Sequence, residues 1–177
     1  MNEHKSNFNS WFKEIVANLY SHREAGFIIL MVAFPLLERY LREKSGVHEG
    51  NLNDGFYQEL LSLYPELSST EKAYQFWQVY RNGLLHQVTF SKQKKKGINM
   101  PEGWVSHDVD IISIDNDNFW VHPAKFAQRV IHTIENDFTT FEGSHSANHH
   151  LSKVHHSVSS AGTSAGDIYR FPKESED

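Results

Sequence analysis

The stretch Ser69-Thr-Glu-Lys-Ala-Tyr-Gln-Phe-Trp-Gln-Val-Tyr-Arg81-Asn82-Gly83-Leu84-Leu85-His86 reads as a helix with unusual chemistry at its far end. Ser68, Ser69 or Thr70 offers the cap, and Glu71 sits in the first turn, where a negative charge suits the helix dipole. Leu84 and Leu85 supply core contacts, and the helix-spaced aromatics Tyr74, Trp77 and Tyr80 read as core rather than as stacking platforms. Asn82 and His86 lie four apart and so share one helical face. Arg81 is rotated about 100° from Asn82, at the edge of that face. Gly83 inside a helix costs about 1 kcal/mol relative to Ala, a cost that often marks close approach by another backbone.

Working outward, the preceding sequence is helical in texture. Asn9 to Tyr20 carries Trp11, Phe12, Ile15, Val16, Leu19 and Tyr20 at helical spacing, with Asn9 or Ser10 as cap. Arg23 to Lys44 predicts a long helix, apolar nearly all round in its first half, with a kink at Pro35 and a stop at Ser45-Gly46. A shorter helix spans Phe56 to Leu63, ahead of Pro65. Beyond His86 the texture changes. Val88-Thr-Phe, Val109 to Ile114 and Phe119-Trp-Val are short and β-branched or aromatic, and Asp115-Asn-Asp-Asn118 is a hairpin turn. His122-Pro123 then opens a last amphipathic helix, 123–141, with Phe126, Val130, Ile131, Ile134 and Phe138 on its apolar face. The fold class expected is mainly α: a bundle of about five helices, with a small β-hairpin insertion (88–122) before the last.

Composition bounds the rest. The chain has 177 residues, enough for one domain plus an appendage. With 39% hydrophobic residues it has material for a core. It has no cysteine, which excludes disulfides, thiolate metal sites and cysteine nucleophiles. The net charge of -5 makes the molecule as a whole a poor magnet for nucleic acid, so any such ligand needs a local patch. The longest apolar stretch, Ala25 to Leu37, is short of a bilayer span, no signal peptide is visible, and a soluble, cytoplasmic protein is the expectation. Residues 142–177 are rich in Ser, Gly, Ala and His and read as a tail outside a 1–141 domain.

The 12 histidines divide. His145, His149, His150, His155 and His156 crowd that tail, which offers no fixed geometry for a metal. His107 beside Asp108 and Asp110 reads as a strand edge, and His48, His122 and His132 as surface or interface residues. No metal and no cofactor is expected. His86 is different, because Arg81 and Asn82 accompany it. A titratable base, an amide and a fixed guanidinium form the set for metal-free phosphate chemistry. The plain alternative is a structural pair at a helix end, with Arg81 bound to Glu38 or another acid. Lys92, Lys94, Lys95 and Lys96 follow closely and can contact phosphates, or simply form a solvated loop.

The Arg-Asn, three residues, then His arrangement resembles the signature of HEPN domains, small all-α bundles carrying an Arg, four to six residues, His motif. Phe34-Pro-Leu-Leu-Glu-Arg-Tyr-Leu-Arg42 also looks like the preceding helix of such bundles. The resemblance covers roughly 8–90 and 123–141. It implies a metal-independent endoribonuclease whose two motifs meet in a homodimer, within a toxin–antitoxin, phage-defence or RNA-processing system. His86 would act on the ribose 2′-OH or the leaving 5′-oxygen, Arg81 would stabilise the charged transition state, and Asn82 would orient the imidazole or the phosphate. The resemblance also implies a protein partner, an antitoxin or a defence-system component. The alternative it admits is a non-catalytic dimerisation or partner-binding module. Val88 stands where one toxin group carries a Tyr that its antitoxin modifies, so that form of regulation is not expected.

Overall fold

The computed structural model describes residues 3–84, the segments 94–95 and 98–99, and residues 101–143. The fold is mainly helical, with a small sheet. Helix α1 (Glu3–Phe8) passes through a π turn (Asn9–Lys13) into α2 (Glu14–Leu19). A 3-10 turn (Arg23–Ala25) leads to α3 (Gly26–Ser45), followed by α4 (Asp54–Leu63), a second 3-10 turn (Pro65–Leu67) and α5 (Thr70–Trp77). Then come β1 (Lys94–Lys95), β2 (Ile98–Asn99), β3 (Gly103–Val105), β4 (Ile112–Asp115) and β5 (Asn118–Val121). Helices α6 (Pro123–Asn136) and α7 (Phe138–Glu142) close the described chain.

The local chemistry of these ends is conventional. Asn53 and Ser69 accept backbone N–H bonds at the starts of α4 and α5. Gly46 ends α3 in the left-handed region at φ 69°, which a side chain would strain. At the other end of α3, a Cβ on Gly26 would lie 3.0 Å from Pro123 Cγ, so glycine lets α3 and α6 start side by side.

Helix α3 is the spine, packed along α6 and also against α4 and α7. The core is aromatic. Phe34 stacks on Phe126 at 4.9 Å and on Tyr80 at 5.9 Å, meets Trp77 edge-on and lies tilted against Phe76. Tyr64 stacks on the same Phe126. Tyr64 and Tyr80 are both buried, and burial pushes both phenols well above their ordinary pKa.

Four features differ from the sequence expectation. The first helix starts at Glu3, not near Asn9, because the apolar stripe continues back to Phe8, which is packed against Phe138 and Phe141. Ile15, expected in the core, is 55% exposed. The first half of α3 is not enclosed all round: Ile29, Leu30, Ala33 and Phe34 are buried, but Phe27, Ile28 and Met31 face outward. The last helix breaks at Asp137, whose carboxylate accepts from Thr140, Tyr40 and Lys44. These side-chain bonds hold Asp137 in a non-helical conformation and keep its carboxyl below the usual range, the Thr140 bond foremost.

The insertion is also more than a hairpin. The turn at Asn116-Asp117 is present, both residues at positive φ, and joins β4 to β5 as expected. But β3 adds to β5 in parallel, giving the order β3-β5-β4, and β1 with β2 forms a separate pair. A parallel partner needs a crossover, here residues 106–117 with β4 inside them, and no local signal in 106–111 announces it. The Tyr80 hydroxyl bolts this sheet to the bundle. It accepts from Trp104 N at 3.0 Å, and its proton faces the carbonyls of Trp104 and Phe119 at 2.7 and 2.8 Å.

His122 caps α6 by accepting the Lys125 N–H on Nδ1, a role that needs the neutral imidazole. Burial, then Lys125 and His107, push its pKa below the ordinary 6.5, with Asp110 opposing. The unfolded chain therefore takes up this proton first. The stabilisation is complete above about pH 6.5 and is lost as the pH falls below it. Thermal melts are expected to show a fall in stability between pH 7 and 5 that His122→Asn, a cap that does not titrate, makes shallower.

Candidate functional site

The α5 helix does not continue as α. Residues Gln78–Asn82 form a π turn, followed by helical Gly83 and Leu84. Such turns hold an extra residue and often occur at functional sites. Here the widened turn buries Val79 and Tyr80 while leaving Arg81 and Asn82 part-exposed on the opposite side.

Arg81 reaches across to α3. Its Nε lies 2.9 Å from Glu38 Oε2, and Nη2 lies 3.4 Å from Oε1. This is a two-pronged guanidinium–carboxylate pair, the geometry for which arginine is suited. Glu38 Oε1 also accepts from Arg42 Nε at 3.0 Å. One carboxylate, its side chain 13% exposed, is therefore clasped by two guanidiniums, and the trio carries a net positive charge. Arg42 is further held by the carbonyls of Val47 and Gly50.

Asn82 is tied into the same group. Its Oδ1 accepts from Arg81 Nη1 at 3.2 Å, and its Nδ2 donates to Gln78 Oε1 at 2.7 Å. Gln78 in turn hydrogen-bonds the Tyr57 hydroxyl, whose pKa burial raises and this bond opposes. Arg81, Asn82 and Gln78 line a cleft of about 470 Å³ with Glu38, Arg42, Tyr57, Tyr74, Trp77 and the 50–52 loop. A volume of that order holds a small organic ligand. Its wall offers two guanidiniums for an anion and aromatic edges for a ring.

Of the residues expected in the site, Arg81 and Asn82 come together in this cleft. Lys94 and Lys95 enter β1, paired in register with Asn99 and Ile98. His86, Lys92 and Lys96 lie outside the described residues, as does the tail from Ser144 onward. The pairing of Arg81 with Glu38, named above as the plain alternative, is present. Trp77 and Tyr80 are core residues and Tyr74 packs partly buried against the core, as expected, while Trp77 and Tyr74 also line the cleft. Arg42 and Gln78 were not singled out by the sequence, although Glu38 and Arg42 stand at i, i+4 and Gln78 and Asn82 likewise, the spacing at which such pairs meet. Among the described residues no group of acids and histidines is arranged to hold a metal ion, and no helix is long and apolar enough to cross a membrane.

Comparison of the chain with protein-family models, with curated proteins and with solved structures returned no match.

Proposed function

We propose that the protein is a metal-independent endoribonuclease of HEPN type, acting in the cytoplasm as a homodimer. The observation that carries this reading is the Arg81–Asn82 pair on the wall of a cationic cleft, with His86 following two residues beyond Leu84. In the reaction, a base takes the proton of a ribose 2′-OH, and the 2′-oxygen attacks the adjacent phosphorus. The bond to the 5′-oxygen breaks, and an acid returns a proton to that oxygen. The products are a 2′,3′-cyclic phosphate and a 5′-OH. His86 supplies the proton transfers, Arg81 meets the charge that builds on the phosphoryl oxygens, and Asn82 orients the imidazole or the phosphate. Lys92, Lys94, Lys95 and Lys96 contact RNA phosphates flanking the site, and an antitoxin or defence-system protein is the regulating partner.

A dimer gives two histidines, one as base and one as acid. Its face in this proposal is the exposed stripe of α3. Met31, Pro35, Glu38 and Arg42 share one side of that helix by their spacing, so the apolar stripe runs into the ionic cleft. Phe27 and Ile28 widen it, and a groove of about 350 Å³ between Phe12, Met31, Pro35 and Phe141 lies alongside. A second copy seated on this stripe brings two Arg81 clefts toward each other. Sedimentation is expected to show a dimer that Ile28→Lys converts to monomer, whereas a dimer untouched by that change rules out this face.

The second reading is a non-catalytic module of the same type. It is favoured by one observation: Arg81 is already bound two-pronged to Glu38, as a structural pair would be. Incubating the protein with mixed RNA in EDTA, beside His86→Ala, separates the two. Cleavage that yields cyclic-phosphate ends and disappears in the variant supports the enzyme. No cleavage by either protein, or equal cleavage by both, leaves the binding module.

A further inference from the structure

Alternation along the sheet sends Ile112, Phe119 and Val121 into the core and leaves Trp104, Trp120 and Ser113 on the opposite face. Trp104 and Trp120 are register partners on the parallel strands β3 and β5. Their rings stack at 5.5 Å with 19° between planes, and Trp104 remains 45% exposed. The next row of the same face holds Glu102, Asn118 and Asp115. Asp115 is the register partner of Asn118, and Glu102 accepts the Phe119 N–H on its carbonyl. Asp117 stands at the turn beyond, its side chain 81% exposed and bridged to Lys72. Strands β3, β4 and β5 place no lysine or arginine on this face.

The π face of an indole is its negative face, and tryptophan is the ring that holds a cation best. A carboxylate beside it, here Asp115, adds to that preference and repels the phosphates of a nucleic acid. The platform is also rigid. Both polar groups of the Trp104 backbone are engaged by the buried Tyr80 hydroxyl, and Trp120 lies on the central strand. A ligand therefore meets a surface that needs little ordering. Among cationic side chains, the planar guanidinium both stacks on an aromatic ring and matches a carboxylate, which an ammonium does less well.

We propose that the Trp104–Trp120 face of the sheet docks an arginine-bearing segment of a protein partner, a guanidinium stacking on the indole pair and bonding to Asp115. The site is separate from the Arg81 cleft, and the proposal stands whether or not the protein cleaves RNA. The test uses the full chain and an octapeptide of alternating Gly and Arg with blocked ends, titrated by calorimetry and tryptophan fluorescence at physiological salt. Saturable binding is expected, weakened about tenfold by Trp104→Ala and weaker for the Lys octapeptide. Asp115→Asn, at an exposed position, is expected to weaken it without altering the melting curve, which covers the case in which Trp104→Ala does not fold. Absence of binding, or binding equal in wild type and both variants, overturns the proposal. So does a uridine oligonucleotide that binds in place of the peptide and is lost with Trp104, since the face would then be a nucleobase platform.

Discussion

Cleavage of RNA in EDTA is expected to fall by about 10²–10⁴-fold in His86→Ala and by about 10²–10³-fold in Arg81→Ala. The two losses have different causes. In the proposed reaction, loss of His86 leaves the proton of the 2′-OH without its acceptor. In the same proposed reaction, loss of Arg81 takes a fixed donor from the charge that builds on the phosphoryl oxygens. Arg81→Lys is expected to recover little, because an ammonium cannot hold two Glu38 oxygens and also present a donor edge to the cleft. The fold is expected to survive Arg81→Ala, since Glu38 keeps Arg42 as its partner at 3.0 Å. Rates of cyclic-phosphate formation, read beside circular dichroism, check this. If Arg81 is only a structural pair, the pattern reverses: stability drops and no cleavage activity is there to lose.

The largest effect on stability is expected at Phe34. Its ring is fully buried and touches Phe76, Trp77, Tyr80 and Phe126, which come from α5, the π turn and α6. Phe34→Ala is expected to cost about 3–5 kcal/mol, because rings on three elements cannot all collapse into one cavity. Ile15, 55% exposed on α2, is expected to change stability by no more than about 0.5 kcal/mol when replaced by Ala. Urea unfolding with an unchanged slope measures both. Equal effects at the two positions would mean that Ile15 is covered in solution.

Most helices were legible because their signals are local. Ser69 caps, Gly46 and Pro65 stop, and the apolar residues of 123–141 recur at helical period. The hairpin turn at Asn116-Asp117 was legible for the same reason, since only a few residues tolerate that backbone. The break at Asp137 was not legible. It depends on Tyr40 and Lys44, which are distant in the chain. The parallel addition of β3 was hidden likewise, because pairing with β5 is decided by Tyr80 and the crossover rather than by the strand's own residues. At the candidate site, Arg81 and Asn82 could be read from residue type and spacing, with Glu38 only one of the acids open to Arg81. The π turn could not, since nothing in Gln78 to Asn82 distinguishes it from α-helical sequence.

By itself, the sequence determined a mainly helical chain with a guanidinium and an amide at one helix end, because capping, periodicity and charge are properties of neighbours. Only the tertiary structure decided that Glu38 is shared by Arg81 and Arg42, that half of α3 faces outward, and that two tryptophans stack beside a carboxylate on an open sheet face. Each of those depends on which elements lie next to one another, and that is fixed by packing around Phe34 and Phe126 rather than by any local run of residues.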